Sequence, residues 1–412
     1  MSFSYICFKK TSTEEKNSFV LKHLKLKQLD YLCTMKTEKY PEIMAPVGSY
    51  ESLAAAIQAG ADSVYFGVGS LNMRSRSSKN FRLEDLATIT ERCASQGIKT
   101  YLTVNTVVYD EEMEDLQTLL EKAKENKISA IIASDMAVIQ LAKSLDLTIH
   151  MSTQTNISNL EAVKFYAAFA DVMVLARELN LNQIHEICKA IKEQNICGPS
   201  GELVKIEIFV HGALCMAISG KCYLSLDNMN YSANRGACLQ ICRRPYRVTD
   251  KDGGIELEVD NEYIMSPKDL MTLPFIDKII QAGVSVLKIE GRGRSADYVK
   301  TVTEAYKQAV LAVHNNTFSQ EKVKIWEEEL KKVFNRGLWG GYYLGKKMGE
   351  WSEVYGSQAT KKKIYAGKIT NYFTNIKVAE ALLEASDLSL GDEIMISGPT
   401  TGIVQLKLDE IR

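Results

Sequence analysis

From residue 42 onward, short apolar runs alternate with longer stretches in which apolar residues recur every three or four positions. The short runs cover residues 43–46, 63–67, 99–105, 130–134, 148–153, 171–176, 205–210 and 284–289, and each has the length of a buried strand. Residues 83–96, 111–125, 135–145 and 182–193 carry the helical period between them. Eight strands spaced by helix lengths predict an α/β chain, a TIM-like β/α barrel closed by parallel pairing. A doubly wound open sheet shares the same alternation, but no GxGxxG follows the first run, which counts against it.

In a barrel of this kind the site lies just past the C-terminal ends of the strands. Those positions hold Asn105, Asp135, His150, Ser152, Gln154, Arg177, Glu178, His211 and the run from Lys288 to Arg294. Outside the barrel pattern, residues 1–40 are rich in Lys, Ser and Thr and read as a poorly ordered N-terminal extension. The barrel is expected over 41–318 with an inserted four-cysteine segment, followed by a helical connector over 319–355. Residues 356–412 show short runs separated by Gly, Asn and Asp turns and predict a C-terminal small β domain, one cut short because its last run nears Arg412.

The 412 residues are 46% hydrophobic and 25% charged, as in an ordinary globular protein. Fifty basic residues nearly balance fifty-one acidic ones, so a nucleic-acid surface would have to be local. No run reaches the roughly 20 apolar residues of a membrane span, and the start lacks the order of a secretory signal, so a cytoplasmic protein without a membrane partner is expected. Nine cysteines, an odd number spread unevenly, argue for thiol chemistry in a reducing compartment rather than for a disulfide framework. Oligomeric state is not legible.

Four of those cysteines, Cys215, Cys222, Cys238 and Cys242, fall within one segment, flanked by Gly212, Gly220, Gly236 and Ala237. Small neighbours let a backbone turn around a metal, and soft thiolates select zinc, copper(I) or an iron–sulfur cluster. None of the spacings is the CxxC of structural zinc, although zinc stays open. Cys93 and Cys188 lie in helical stretches and read as buried small apolar residues.

Glu207, Phe209, Gly212, Ala213, Leu214, Cys215, Gly220, Cys222, Leu224 and Ser225 match every defined position of ExFxxG[SA][LIVM]CxxxxGxCx[LIVM]S. By that signature the chain resembles the collagenase-like peptidase family U-32. APVGSYESLAAAIQAGADSVYFG, NEYIMSPKDL, VLKIEGRGRS and NRGLWGGYYLG extend the resemblance over most of residues 41–355. It is most similar to the branch that forms 5-hydroxyuridine at the tRNA wobble position. That resemblance implies tRNA as partner, prephenate, a small dicarboxylate, as co-substrate, and a 4Fe-4S cluster on the four cysteines.

Arg74, Arg76, Arg292 and Arg294 are the candidate substrate binders, since a guanidinium grips carboxylate or phosphate in a two-pronged fork. His150, His211 and Arg177 are the candidate catalytic residues at the mouth. The peptidase name finds less support: there is no GxSxG, and His185-Glu186-Ile187-Cys188-Lys189 lacks the second histidine of HExxH. A Cys215 or Cys222 nucleophile paired with His150 or His211 stays open, as does a non-catalytic RNA-binding protein with structural zinc.

Overall fold

The computed structural model describes residues 4–8, 19–22, 40–76, 80–247, 263–345 and 349–411. Eight strands form the barrel: β1 (Glu42–Pro46), β2 (Ser63–Phe66), β3 (Lys99–Val104), β4 (Ala130–Ala133), β5 (Ile149–Met151), β6 (Val172–Val174), β7 (Lys205–Gly212) and β8 (Val286–Ile289). Each falls on one of the eight apolar runs. Neighbours pair in parallel in chain order, and β8 pairs with both β7 and β1, so the sheet closes and the open-sheet alternative falls away.

The strands are apolar on both faces because both are covered. One face packs outward on helices such as Asp85–Ala94, Met113–Glu125, Met136–Ser144 and Leu181–Glu193. Ser49, Asp135, Asn159 and Asn180 start their helices by accepting a hydrogen bond from a first-turn backbone N–H. The other face fills the barrel, where Met44, Tyr65, Tyr101, Ala130, Ile132, Val172 and Val286 form a separate buried cluster.

The barrel ends with the helix Ala296–His314, and the connector begins with Gln320–Lys332. Two short strands were not evident from the pattern. Asp269–Met271 runs antiparallel to the end of β7, and Leu338–Trp339 lies parallel to Asp269–Met271.

A six-stranded sheet follows, built from Ile364–Phe373, Val378–Leu383, Glu393–Gly398 and Gly402–Lys407 with two strands from the start of the chain. Ser4–Phe8 lies between Glu393–Gly398 and Ile364–Phe373, and Phe19–Lys22 edges Val378–Leu383. The remaining residues of the expected N-terminal extension before Tyr40 lie outside the described residues. Ile403 buries against Ala55 and Ala296, and Gln58 Nε2 donates to the Thr401 carbonyl at 2.6 Å, which fixes the small sheet on the outside of the barrel.

Candidate active site at the barrel mouth

Alternate residues along a strand share a face, so the inward positions of each barrel strand form layers. On β3 and beyond, Tyr101 lies deep while Thr103 and Asn105 reach the mouth; on β7, Glu207 lies deep and Phe209 above it. At the top these residues enclose a cavity of about 190 Å³. All four grouped cysteines line it, together with Arg74, Arg177, Arg243, Arg292 and Lys288, and Glu290 is the single carboxylate among its lining residues.

The cysteine segment leaves β7 through Gly212, whose φ of +103° suits glycine and where a Cβ would sit 2.5 Å from the Glu290 carbonyl oxygen. A clasp then holds it over the mouth. Gly236 packs so tightly on the loop after β2 that a Cβ would lie 2.1 Å from Ser75 Oγ. The Arg76 amide donates to the Gly236 carbonyl at 3.3 Å, and the Val107 amide to that of Asn234 at 3.1 Å. Arg235 grips the Glu112 carboxylate with two nitrogens, one at 2.6 Å, and Arg243 donates to the Leu214 carbonyl at 2.6 Å.

Burial pushes the Cys222 thiol up, and the Cys242 thiol up to about 11. Such thiols are ordinary neutral groups until a metal or base takes their protons. Among the described residues no three His, Cys, Asp or Glu side chains converge closely enough to hold a single metal ion.

The basic side of the cavity is organised around Glu290. Burial alone would raise its carboxyl, yet Arg74 at 2.8 Å, with Arg294 and Arg177 nearby, holds it down at about 2. Arg177 lies 4.0 Å over the Phe209 ring, donates to the Ala213 carbonyl at 3.1 Å, and has a buried Nε without a partner. Arg292 is buried rather than displayed at the rim: it donates to Thr103 Oγ1 at 2.6 Å and Asn72 Oδ1 at 3.2 Å. Burial lowers its pKa to about 10.

Arg76 and Arg294 do not line the cavity. Arg76 stacks on Tyr231, and Arg294 lies 3.6 Å over the Phe334 ring. Neither histidine reaches it. His150 is the middle residue of β5, one layer below Ser152 and Gln154, which do line the cavity. His211 follows an irregularity in the β7–β8 register and packs on Tyr298 and Tyr306 of the helix behind, because a bulge breaks the alternation that keeps Glu207 and Phe209 inward.

Lys288 at the head of the mouth run and Glu207 in the signature were both picked out from the sequence, but not their pairing on the cavity floor. Lys288 pairs with Glu207 at 2.7 Å, both buried, and lies 4.6 Å from the Tyr65 ring centre. The signal was present: a lysine in VLKI and a glutamate in KIEIFV interrupt two adjacent apolar strands on the inward face.

Among the described residues no helix is long and apolar enough to cross a membrane. A protein of Porphyromonas gingivalis named collagenase is 58% identical over 90% of both chains. The Bacillus subtilis tRNA hydroxylation protein P1 is 33% identical, over 88% of this chain and 84% of its own. The Escherichia coli 23S rRNA 5-hydroxycytidine C2501 synthase is 35% identical, over 66% of this chain and 39% of its own. These relatives carry names of two kinds, collagenase and RNA hydroxylation; this chain matches the family model of peptidase family U32 over residues 48–353, and on that match it belongs to that family.

Proposed function

We propose that this chain hydroxylates C5 of the wobble uridine of tRNA, with prephenate as oxygen donor and a 4Fe-4S cluster held by Cys215, Cys222, Cys238 and Cys242. The observation that carries this reading is the cavity: four thiols and five basic side chains line one space that no histidine among the described residues enters. A cysteine peptidase needs an imidazole beside its thiol, whereas His150 and His211 are buried elsewhere and burial raises two of the thiols. The basic side chains suit an anionic ligand carrying two carboxylates, and an anticodon base is already unpaired, so drawing it into a pocket costs little.

The donor set fits a cluster: four soft thiolates, of the kind that select zinc or an iron–sulfur cluster, line one cavity, and four cysteines are the ligand number of a 4Fe-4S cluster. When bound, the cluster supplies iron able to exchange an electron beside the base. In the overall change the C5–H bond is replaced by C5–O, the uridine loses two electrons and one proton, and the oxygen donor takes up the electron pair as it gives up its oxygen. Arg74 and Arg177 orient the anion, and Arg292 fixes the floor beneath it.

Deletion of the gene is expected to abolish 5-hydroxyuridine and its derivatives in tRNA, read by nucleoside mass spectrometry. A wild-type copy restores them and a Cys238→Ser copy does not. Unchanged nucleosides, with gelatin cleavage that survives purification and vanishes in the variant, would establish the peptidase reading suggested by the collagenase relative's name instead.

A further inference from the structure

Below the cavity lies a set of ionisable groups that the proposed reaction has so far left unused. Lys288, on β8, is the one member lining the cavity; Glu207, on β7, and His150, on β5, lie in the layer beneath. All three are buried, Glu207 completely. Lys288 Nζ donates to Glu207 Oε1 at 2.7 Å. The other carboxylate oxygen, Oε2, faces His150 Nδ1 at 3.7 Å, and neither of those two atoms has a hydrogen-bond partner. A buried carboxylate oxygen and a buried ring nitrogen left open toward each other are costly unless a proton can come between them.

We propose that Lys288, Glu207 and His150 form a proton-transfer unit under the cavity floor, in which Lys288 is the catalytic base that removes the proton from the substrate carbon. The proposal rests on the hydroxylase reading for the identity of that carbon. The unit holds one mobile proton. At rest it sits on Lys288, with Glu207 anionic and His150 neutral. Transfer through the two oxygens of Glu207 places it on Nδ1 of His150 and leaves a neutral amine facing the cavity. The amine then takes the C5 proton as the C5–O bond becomes final, and the excess proton leaves through the open mouth. Glu207 and His150 act through Lys288 and are positioning residues.

The surroundings fit this role. Tyr65 and Phe209 present ring faces to the Lys288 ammonium at 4.6 and 5.5 Å, while Arg177 and Arg292 oppose a second positive charge there. Burial lowers the amine and Glu207 counters it, with a net downward direction, so deprotonation lies closer to neutrality than for a surface lysine. Tyr101 covers the His150 ring at 4.5 Å but turns its hydroxyl away, donating to Glu42 at 2.7 Å; Glu42 in turn holds Lys99. Tyr101 and Glu42 therefore close the unit from below without joining it.

Arginine separates this role from that of a structural ion pair, because it keeps the positive charge but does not give up its proton. In the deletion strain a Lys288→Arg copy is expected to form 5-hydroxyuridine about 100-fold more slowly than wild type, within the range of general-base effects. Unchanged tRNA binding and visible absorbance would show that the fold persists. Full activity of Lys288→Arg overturns the proposal. A second arm needs no turnover: acetic anhydride labelling of the purified protein, with Lys288 read by peptide mass spectrometry. His150→Phe removes the proton acceptor while keeping a ring against Tyr101, so Lys288 labelling at neutral pH should fall about 10-fold, one pKa unit. A structural pair predicts no change, and unchanged labelling overturns the proposal even where Lys288→Arg fails to fold. A wild-type copy that makes no 5-hydroxyuridine would remove the hydroxylase reading, while the labelling arm still decides the proton unit.

Discussion

Burial fixes the protonation of His211. Its ring packs on Tyr298 and Tyr306 with only a long 3.5 Å approach to the Tyr306 hydroxyl, and desolvation pushes its pKa down to about 3. An unfolded chain binds a proton on this residue near pH 6.5, whereas the native state does not. Stability from this site is therefore complete above about pH 6.5 and declines as pH falls toward 3, by about 1.4 kcal/mol per unit. Glu290 has the carboxylate pattern: with a folded pKa of about 2, its contribution is present above about 4.5 and is lost as pH falls through 2. His211 thus governs the first acid loss. Urea unfolding of the wild type is expected to lose about 2 kcal/mol between pH 6.5 and 5, and His211→Gln should flatten that slope. An equal slope in both would place the acid sensitivity elsewhere. Arg177 and Arg292 were legible as cavity residues because a side chain just past a barrel strand faces the mouth, whereas Arg74, in the loop after β2, was legible only as an anion-binding arginine. The place of His150 was not legible, since sequence gives the face of a strand residue but not its depth.

At the scale of elements, the clasp on the cysteine segment carries the site. Its residues come from the long excursion between β7 and β8, yet it is held by the loops after β2 and β3. Glycines next to the cysteines were expected to let the backbone turn. Gly236 does so at a φ of +76°, and its lack of a side chain also admits Ser75 and Asn72. That second use depends on a contact far away in the chain, which periodicity and spacing do not reveal. A methyl group there meets backbone as well as a side chain, and the left-handed conformation adds roughly 1–2 kcal/mol. Gly236→Ala is expected to retain the far-UV circular dichroism of the barrel but, after anaerobic purification, to carry much less iron than wild type. Equal iron in both would mean that the four thiols find their places without the clasp.

For the molecule as a whole, strand and helix positions in the barrel were legible because both sheet faces are covered, which leaves uninterrupted apolar runs. The small sheet was less so. Its strands are half exposed, and a turn over residues 374–377, with Lys377 at a φ of +53°, separates Ile364–Phe373 from Val378–Leu383. Asp269–Met271 and Leu338–Trp339 are too short to show a period, and only pairing makes them strands, the first with β7 and the second with the first.

Closure of the barrel through β8 also bears on how fast the chain folds. β8 joins β1, across nearly the whole length of the domain, and β7, across the entire cysteine-bearing excursion. Pairings so distant in sequence bear the largest entropy of loop closure and form late, whereas β2, β3 and β4 meet near neighbours and can zip early. Pulse-labelling hydrogen exchange during refolding should find the amides of β3 and β4 protected in an earlier phase than those of β8. Simultaneous protection would mean that the ring closes in a single concerted step. With β8 last, Lys288 meets Glu207 only as the ring shuts, so the buried charge pair assembles in the final moments of folding and never stands half made in a collapsing core.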